Sequence, residues 1–190
     1  MTNKNINPEE LEALVVKAQV GDTEAFSKIY DEYFSHIYRY VYYRTNKSEV
    51  DDLVARVFMK AWDNLGKYKF KGASFGAWLF KIAHNLVVDQ YRTHRSLEEI
   101  PADLVDERAG VDPKRIADNK LNQVVLKKAL WNLKEVYRNV VVLKFINGFS
   151  NQEIAEIMKR NEGNIRILQF RALRELKNAL AEMGYESGRT

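Results

Sequence analysis

Apolar residues recur every three or four positions along almost all of this chain, a period that gathers them on one side of an α-helix and on neither face of a strand. Only three prolines and nine glycines interrupt it, and sheet signals are essentially absent. The 190 residues are therefore expected to fold as an all-α protein. Start signals subdivide them. Asn7 and Pro8 suit an N-cap and first helical residue ahead of Leu11, Leu14 and Val15, and Gly21 closes that helix. Asp22 starts a second, long helix carrying Phe26, Ile29, Tyr30, Phe34, Ile37, Tyr38 and Val41. Ser48 and Asp51 form a capping-box-like start, with Asp in place of the usual Glu or Gln. The third helix so begun turns Leu53, Val54, Val57, Phe58, Ala61 and Trp62 inward and ends near Leu65 and Gly66. A basic loop, KYKFKGAS, leads to a fourth helix from about Ser74 to Arg95.

Between Ser96 and Asp118 the character changes. Glu98, Glu99, Asp103, Asp106, Glu107, Asp112 and Asp118 outnumber Arg108, Lys114 and Arg115, while Pro101, Gly110 and Pro113 break the helical period. The segment is too long for a connection within one bundle, so it reads as an acidic flexible linker. The expected organisation is two small helical bundles: an N-terminal domain over 1–95, the linker over 96–118, a C-terminal domain over 119–182, and a tail over 183–190. Within the C-terminal domain a helix is expected from about Asn119 to Leu133 and another from Lys134 to about Asn147.

The last bundle ends on SNQEIAEIMKRNEGNIRILQFRALREL, from Ser150 to Leu176. Ser150 with Glu153 is a capping box for a short helix that buries Ile154, Ala155, Ile157 and Met158. Asn161 caps a second helix with Ile165, Leu168, Ala172 and Leu176 inward and Arg166, Arg171, Arg174 and Lys177 outward. This is the plan of a helix-turn-helix, although a plain amphipathic pair with a basic outer face has the same pattern.

Several chemistries lack their signs. With no cysteine there is no disulfide, thiolate metal site or cysteine nucleophile. His36, His84 and His94 are scattered without the partners of a metal or catalytic site, so no metal and no cofactor is expected. No GxxxxGK[ST], GxGxxG or GxSxG string is present, and an enzyme is not expected. The first residues, MTNKNINPEE, are polar and no apolar run approaches a membrane span, so the expectation is a cytoplasmic protein without membrane insertion. A net charge of +4 is too mild to demand a polyanion, which makes the placement of charge decisive.

That placement singles out Lys67 to Arg95. Lys67, Lys69, Lys71, Lys81, Arg92 and Arg95 oppose only Asp89, with Tyr68, Phe70, Phe75, Trp78, Phe80 and Tyr91 interleaved. Cations neutralise phosphates and aromatic rings stack on unpaired bases, the combination that holds single-stranded nucleic acid. Phe75, Trp78, Leu79 and Ile82 have core spacing instead, whereas Tyr68 and Phe70, between lysines in a loop, are harder to bury.

The two segments together resemble the sigma factors of bacterial RNA polymerase, specifically the small extracytoplasmic-function (ECF) class. DDLVARVFMKAWDNLGKYKFKGASFGAWLFKIAHNLVVDQYR is similar to that family's region 2, which typically runs DLVQEVFLRAW, a basic loop, then FRGEASFRTWLYRIARNLAIDHLR. GFSNQEIAEIMKRNEGNIRILQFRALREL is similar to its region 4, typically GLSYEEIAEILGISVGTVKSRLHRARKRL, without a gap. The resemblance implies partners: core RNA polymerase, promoter DNA as duplex and as non-template single strand, and an anti-sigma factor. It implies that Asp52, Leu53 and Phe58 lie on the helix that docks on the polymerase largest subunit. Periodicity gives Leu53, Val57 and Trp62 to the core and leaves Asp52 the better contact. Ala55 and Arg56 stand where the family favours Gln-Glu, a charge reversal at that surface.

By the same resemblance Phe70 and Asn85 help hold a base flipped from the −10 element, with Tyr68 and Lys81 beside them and Arg92 and Arg95 on duplex backbone. An amide offers a donor and an acceptor to a base edge, but Asn85 also fits a plain helix-surface position. Asn164, Arg166, Ile167, Phe170, Arg171 and Arg174 correspond to the face that meets the −35 element. Asn164 replaces the usual Thr, and Leu168-Gln169 an Arg-Leu pair, which suggests a rotated seam with Leu168 inward. Ile167 and Phe170 suit thymine methyls and the arginines suit guanine or phosphate, while Phe170 has a packing alternative inside the domain. The function implied is promoter-specific initiation by a sigma factor. The alternative is a helix-turn-helix regulator acting without core polymerase. The acidic linker suits either a positively charged channel or a solvated tether.

Overall fold

A computed structural model describes residues 6–70, 74–94 and 113–185, with side chains described for all of these except 93, 94 and 113–121. Among the described residues every regular element is helical: α1 Pro8–Gln19, α2 Thr23–Tyr42, α3 Val50–Asn64, α4 Phe75–His94, α5 Pro113–Trp131, α6 Glu135–Val141, α7 Asn151–Met158 and α8 Glu162–Glu182. The expected all-α architecture holds.

Helix starts follow the local chemistry. Asn7 Oδ1 accepts from Glu10 N at 2.8 Å with Pro8 at the first position, and Asp22 Oδ1 accepts from Ala25 N at 3.0 Å. Gly21 turns the chain between them at φ +95°. The capping box expected at Ser48 does not form. Ser48 lies inside a 3-10 turn, Lys47–Glu49, that runs straight into α3; Val50 N donates to Lys47 O, so the turn itself satisfies the amide a side chain would have capped. Helix α5 begins at Pro113, inside the stretch read as linker, because proline is compatible with a first helical turn although it breaks an interior one. Beyond α6 the chain widens into a π-helical turn, Val142–Ile146.

In the N-terminal unit α1 packs on α2, and α2, α3 and α4 pack on one another. In the C-terminal unit α5, α6 and α7 each lie against α8. The two units also touch: α4 packs against α7, and α2 against the π turn. Buried residues of both, from Val15 through Phe80 to Ile165, belong to one continuous apolar cluster. Polar groups are enclosed there too, among them Arg44, Lys127, Arg138 and Asn139.

Candidate nucleic-acid interface

The helix-turn-helix is built as its caps require. Glu153 N donates to Ser150 Oγ at 3.2 Å and Ser150 N to Glu153 Oε2 at 2.9 Å, closing the capping box of α7. Lys159 ends that helix in the left-handed conformation at φ 53°, and Arg160 N bonds Ala155 O at 2.8 Å. Asn161 Oδ1 then accepts from Asn164 N at 2.7 Å to start α8. Ile165, Leu168 and Ala172 face inward, and Gln169 Nε2 donates to Asn151 Oδ1 at 2.7 Å, fixing the angle between α7 and α8. Leu168 is inward as its departure from the family pattern suggested.

The outer side of α8 is open. Ile167 is 53% exposed and Phe170 70%, so Phe170 does not pack inside the domain. Arg166, Arg171 and Arg174 are exposed beside them, and Arg166 Nη2 is paired with Glu162 Oε1 at 2.7 Å. Asn164 is half-buried under its cap. Ile167, Phe170, Arg171 and Arg174 fall at i, i+3, i+4 and i+7, one continuous face of apolar and cationic groups.

On α4 the same spacing joins Trp78, Lys81, Asn85 and Arg92 on one face. Asn85 and Arg92 are exposed and Lys81 is half-buried. Phe70, 41% exposed, stands at the edge of that face with its ring 5.1 Å from Tyr68. Tyr68 departs from expectation: it is 7% exposed, clasped by Phe75 at 5.3 Å and Trp78 at 5.2 Å. Aromatic edges and faces attract at these separations, and Gln19 Nε2 draws the loop inward by donating to Leu65 O at 3.0 Å and Tyr68 O at 2.9 Å. Tyr68 therefore packs behind Phe70 and offers little of its own ring to the surface. Arg95 lies outside the described residues.

The polymerase-docking expectations divide in the same way. Leu53 and Phe58 are core, 1% and 4% exposed, because their spacing faces α2 and α4, with Phe58 reaching the surface only through the wall of a groove. Asp52 is exposed, and its Oδ2 lies 3.6 Å from Arg56 Nη1. Next to it Thr23, Phe26, Tyr30, Ala55, Phe58, Met59 and Trp62 line an apolar groove of about 410 Å³. The groove is framed by ring pairs, Tyr30 tilted against Phe58 at 4.5 Å and Phe26 edge-on to Trp62 at 4.9 Å, and Met59 projects from it 65% exposed. Met59 was not among the expected contacts, although its place at i+7 from Asp52 marks it as a neighbour on that face.

A polar seam joins the two units. Tyr40 Oη donates to Asn139 Oδ1 at 3.0 Å, and Asn139 Nδ2 lies 3.0 Å from His84 Nδ1. Arg44 Nη2 bonds Glu135 Oε1 at 3.1 Å, while its Nε and Nη1 have no hydrogen-bond partner among the described residues. Ser74 Oγ donates to Glu153 Oε1 at 2.8 Å, and Phe80 packs on Phe149 with centroids 4.6 Å apart. Burial, then the nearby Arg44, Lys159 and Arg160, push the His84 pKa down to about 4, so the ring is neutral. Burial works to raise Glu153, but the bonds from Ser150 N, Ser74 and the Ser150 hydroxyl outweigh it and hold its carboxyl below the usual range. This seam was not anticipated; its one signal in the sequence is Arg138-Asn139 ahead of the apolar run Val140 to Leu143.

A helix-turn-helix with an open cationic and apolar face is carried on the same chain as an aromatic and cationic α4 edge, and both have the chemistry suited to nucleic acid. Comparison with known proteins narrows the class. The profile for Sigma-70 region 2 matches residues 29–97 and that for Sigma-70, region 4 matches residues 123–176. The chain is 31% identical to the ECF RNA polymerase sigma factor ShbA of Streptomyces griseus, over 90% of this chain and 94% of ShbA. It is 36% identical to the ECF RNA polymerase sigma factor BldN of Streptomyces coelicolor, over 89% of this chain, but spans only 65% of the length of BldN. Among solved structures, CnrH in complex with the cytosolic domain of CnrY matches with a TM-score of 0.70 at 25% identity, over 91% of this chain and 97% of that one. The chain belongs to the ECF RNA polymerase sigma factors. Among the described residues no group of side chains could hold a metal ion, and no helix is long and apolar enough to cross a membrane.

Proposed function

We propose that this chain joins core RNA polymerase and directs promoter-specific initiation, with no catalytic site of its own, acting in the cytoplasm. The observation that carries the reading is the pairing, on one chain, of the exposed α4 face with Phe70 at its edge and the exposed α8 face. Phe70 and Asn85 hold a flipped base of the −10 element, the ring stacking and the amide bonding the base edge, while Lys81 and Arg92 neutralise phosphates. Ile167 and Phe170 meet thymine methyls of the −35 element, since the methyl is the apolar feature of the major groove, and Arg171 and Arg174 reach guanine or phosphate. The groove around Met59, with Asp52 at its margin, is the core-polymerase surface. The division into an N-terminal domain over 1–95 and a C-terminal domain follows these roles, the C-terminal part beginning with α5 at Pro113 rather than at 119. An anti-sigma partner accords with the family, and the similar CnrH is itself held in a complex with the cytosolic domain of another protein, CnrY.

The test is in vitro transcription with purified core polymerase on a promoter library. Redirected initiation and co-purification with core are expected. Sequence-specific duplex binding with neither would establish the regulator alternative instead.

A further inference from the structure

A ring that must be ordered at the moment of binding loses affinity, so Phe70 holds a base best when the loop that carries it is already in place. That loop leaves a 3-10 turn, Leu65–Lys67, closed by Tyr68 N on Leu65 O at 3.0 Å, and Tyr68 continues extended two residues ahead of Phe70. Gln19 clamps the turn from outside. Its Nε2 donates to Leu65 O at 3.0 Å and to Tyr68 O at 2.9 Å, carbonyls 46 and 49 residues away in sequence. Because the two acceptors stand at either end of the turn, one planar amide fixes its orientation. Both hydrogens of the amide nitrogen are thereby committed to the chain and neither is left to reach a base.

The root of the Gln19 side chain is fixed as well. Gln19 is the last residue of α1, whose Leu14, Val15 and Ala18 are buried. The corner beyond it is closed by Gly21 N on Ala18 O at 3.1 Å and Asp22 N on Lys17 O at 3.2 Å, and α1 packs directly against the turn. We propose that Gln19 is a positioning residue for base capture, touching no DNA itself but holding Leu65 O and Tyr68 O so that the Phe70 ring is preset at the edge of the α4 face that carries Asn85. The inference rests on the −10 reading above. Tyr68 transmits the constraint, since its carbonyl is held by Gln19 while its ring meets Phe70 at 5.1 Å and is backed by Phe75 and Trp78. A methionine at position 19 keeps the length of the side chain without a donor, and a glutamate keeps length and polarity but turns a carboxylate toward two carbonyl oxygens. The clamp is only partly buried, so water satisfies both carbonyls when it is lost and the fold survives.

The test is binding of a −10 non-template single strand, from a promoter recovered in the library, to the holoenzyme formed with core polymerase. Fluorescence anisotropy is read with each of the four bases in turn at each position. Gln19→Met is expected to weaken strand binding about 5- to 10-fold and to flatten the preference at the captured base, with binding to core and to a −35-only duplex unchanged. Gln19→Glu is expected to match it, which assigns the loss to the missing donors and not to the apolar substitute. Both are expected to melt above Tyr68→Ala. In the double variant Gln19→Met with Phe70→Ala the losses do not add, and Gln19→Met costs less than about 2-fold once the Phe70 ring is gone. A residue that merely stabilises the fold gives additive losses and an intact base preference, and that result overturns the proposal. So do wild-type strand binding in both Gln19 variants and a collapse of thermal stability in both. If Phe70→Ala itself leaves strand binding and base preference unchanged, the −10 reading fails, and that arm is read without any change at Gln19.

Discussion

The amide of Asn139 in α6 meets the imidazole of His84 in α4, Nδ2 to Nδ1 at 3.0 Å, across the boundary between the two units. With the Tyr40 hydroxyl donating to Asn139 Oδ1, the amide nitrogen is the donor to the ring, so Nδ1 is the acceptor and the ring proton resides on Nε2. A protonated ring has no acceptor to offer. The contact between the units is thereby tied to a neutral His84.

That tie gives a pH dependence with a defined sign. The folded pKa of His84, about 4, lies below the ordinary 6.5, so the unfolded chain binds the proton more tightly. The contribution is fully present above pH 6.5 and is lost as the pH falls toward 4, by about 1.4 kcal/mol per unit and about 3 kcal/mol in all. Denaturant titrations between pH 7 and 4.5 are expected to show this slope in the wild type and a shallower one in His84→Gln. Equal slopes would remove His84 from the account.

The aromatic loop before α4 separates a supporting ring from a presenting one. Tyr68→Ala empties an enclosed site between Phe75 and Trp78 and is expected to cost about 3 kcal/mol of stability. Phe70→Ala and Asn85→Ala act on exposed side chains and are expected to cost about 0.5 kcal/mol or less, while open-complex formation falls at least tenfold with core binding intact. Thermal melts and permanganate footprinting on one promoter distinguish the effects. A stability loss in Asn85→Ala matching that of Tyr68→Ala would make Asn85 structural.

The fold was largely legible because helix caps and the 3.6-residue period are local, as Asn7, Asp22, Ser150 and Asn161 demonstrate. Ser48 misled because a competing 3-10 turn supplied the same hydrogen-bond partner from the backbone. At the site, the outward arginines of α8 follow from the inward positions of Ile165, Leu168 and Ala172. Tyr68 was misjudged because its burial depends on Gln19, distant in sequence, drawing the loop inward. The seam of Tyr40, His84 and Asn139 joins residues from three helices, and no periodicity within one helix encodes such a meeting.

The groove between α2 and α3 exposes Met59 most, with Tyr30 less so, near an ion pair, Asp52 with Arg56. Met59→Asp places a charge in an apolar contact and is expected to weaken association with core polymerase at least tenfold, about 1.4 kcal/mol, with little change in melting temperature. Asp52→Ala leaves Arg56 without its partner and is expected to weaken association more at low salt than at high, because the charges are exposed and screened. Unchanged association in both variants, measured by surface plasmon resonance on immobilised core, would move the docking surface elsewhere.

Exposed apolar groups on α8 make a prediction about the DNA as well as the protein. Phe170 is 70% exposed and Ile167 53%, and on a major-groove helix the apolar feature available to them is the thymine methyl. Replacing each thymine of the −35 element by deoxyuridine removes that methyl without altering base pairing. At one or two positions wild-type affinity is expected to fall about 3- to 10-fold, and Phe170→Ala or Ile167→Ala is expected to abolish the difference at the position it reads. Arg171→Ala is expected to cost about 1 to 3 kcal/mol and to relax preference at a single guanine if the guanidinium is bidentate there. A loss spread evenly over all sequences assigns Arg171 to phosphate. Insensitivity of the wild type to every uridine substitution would leave Phe170 and Ile167 without a base to read, and the exposed face of α8 would then belong to a protein partner.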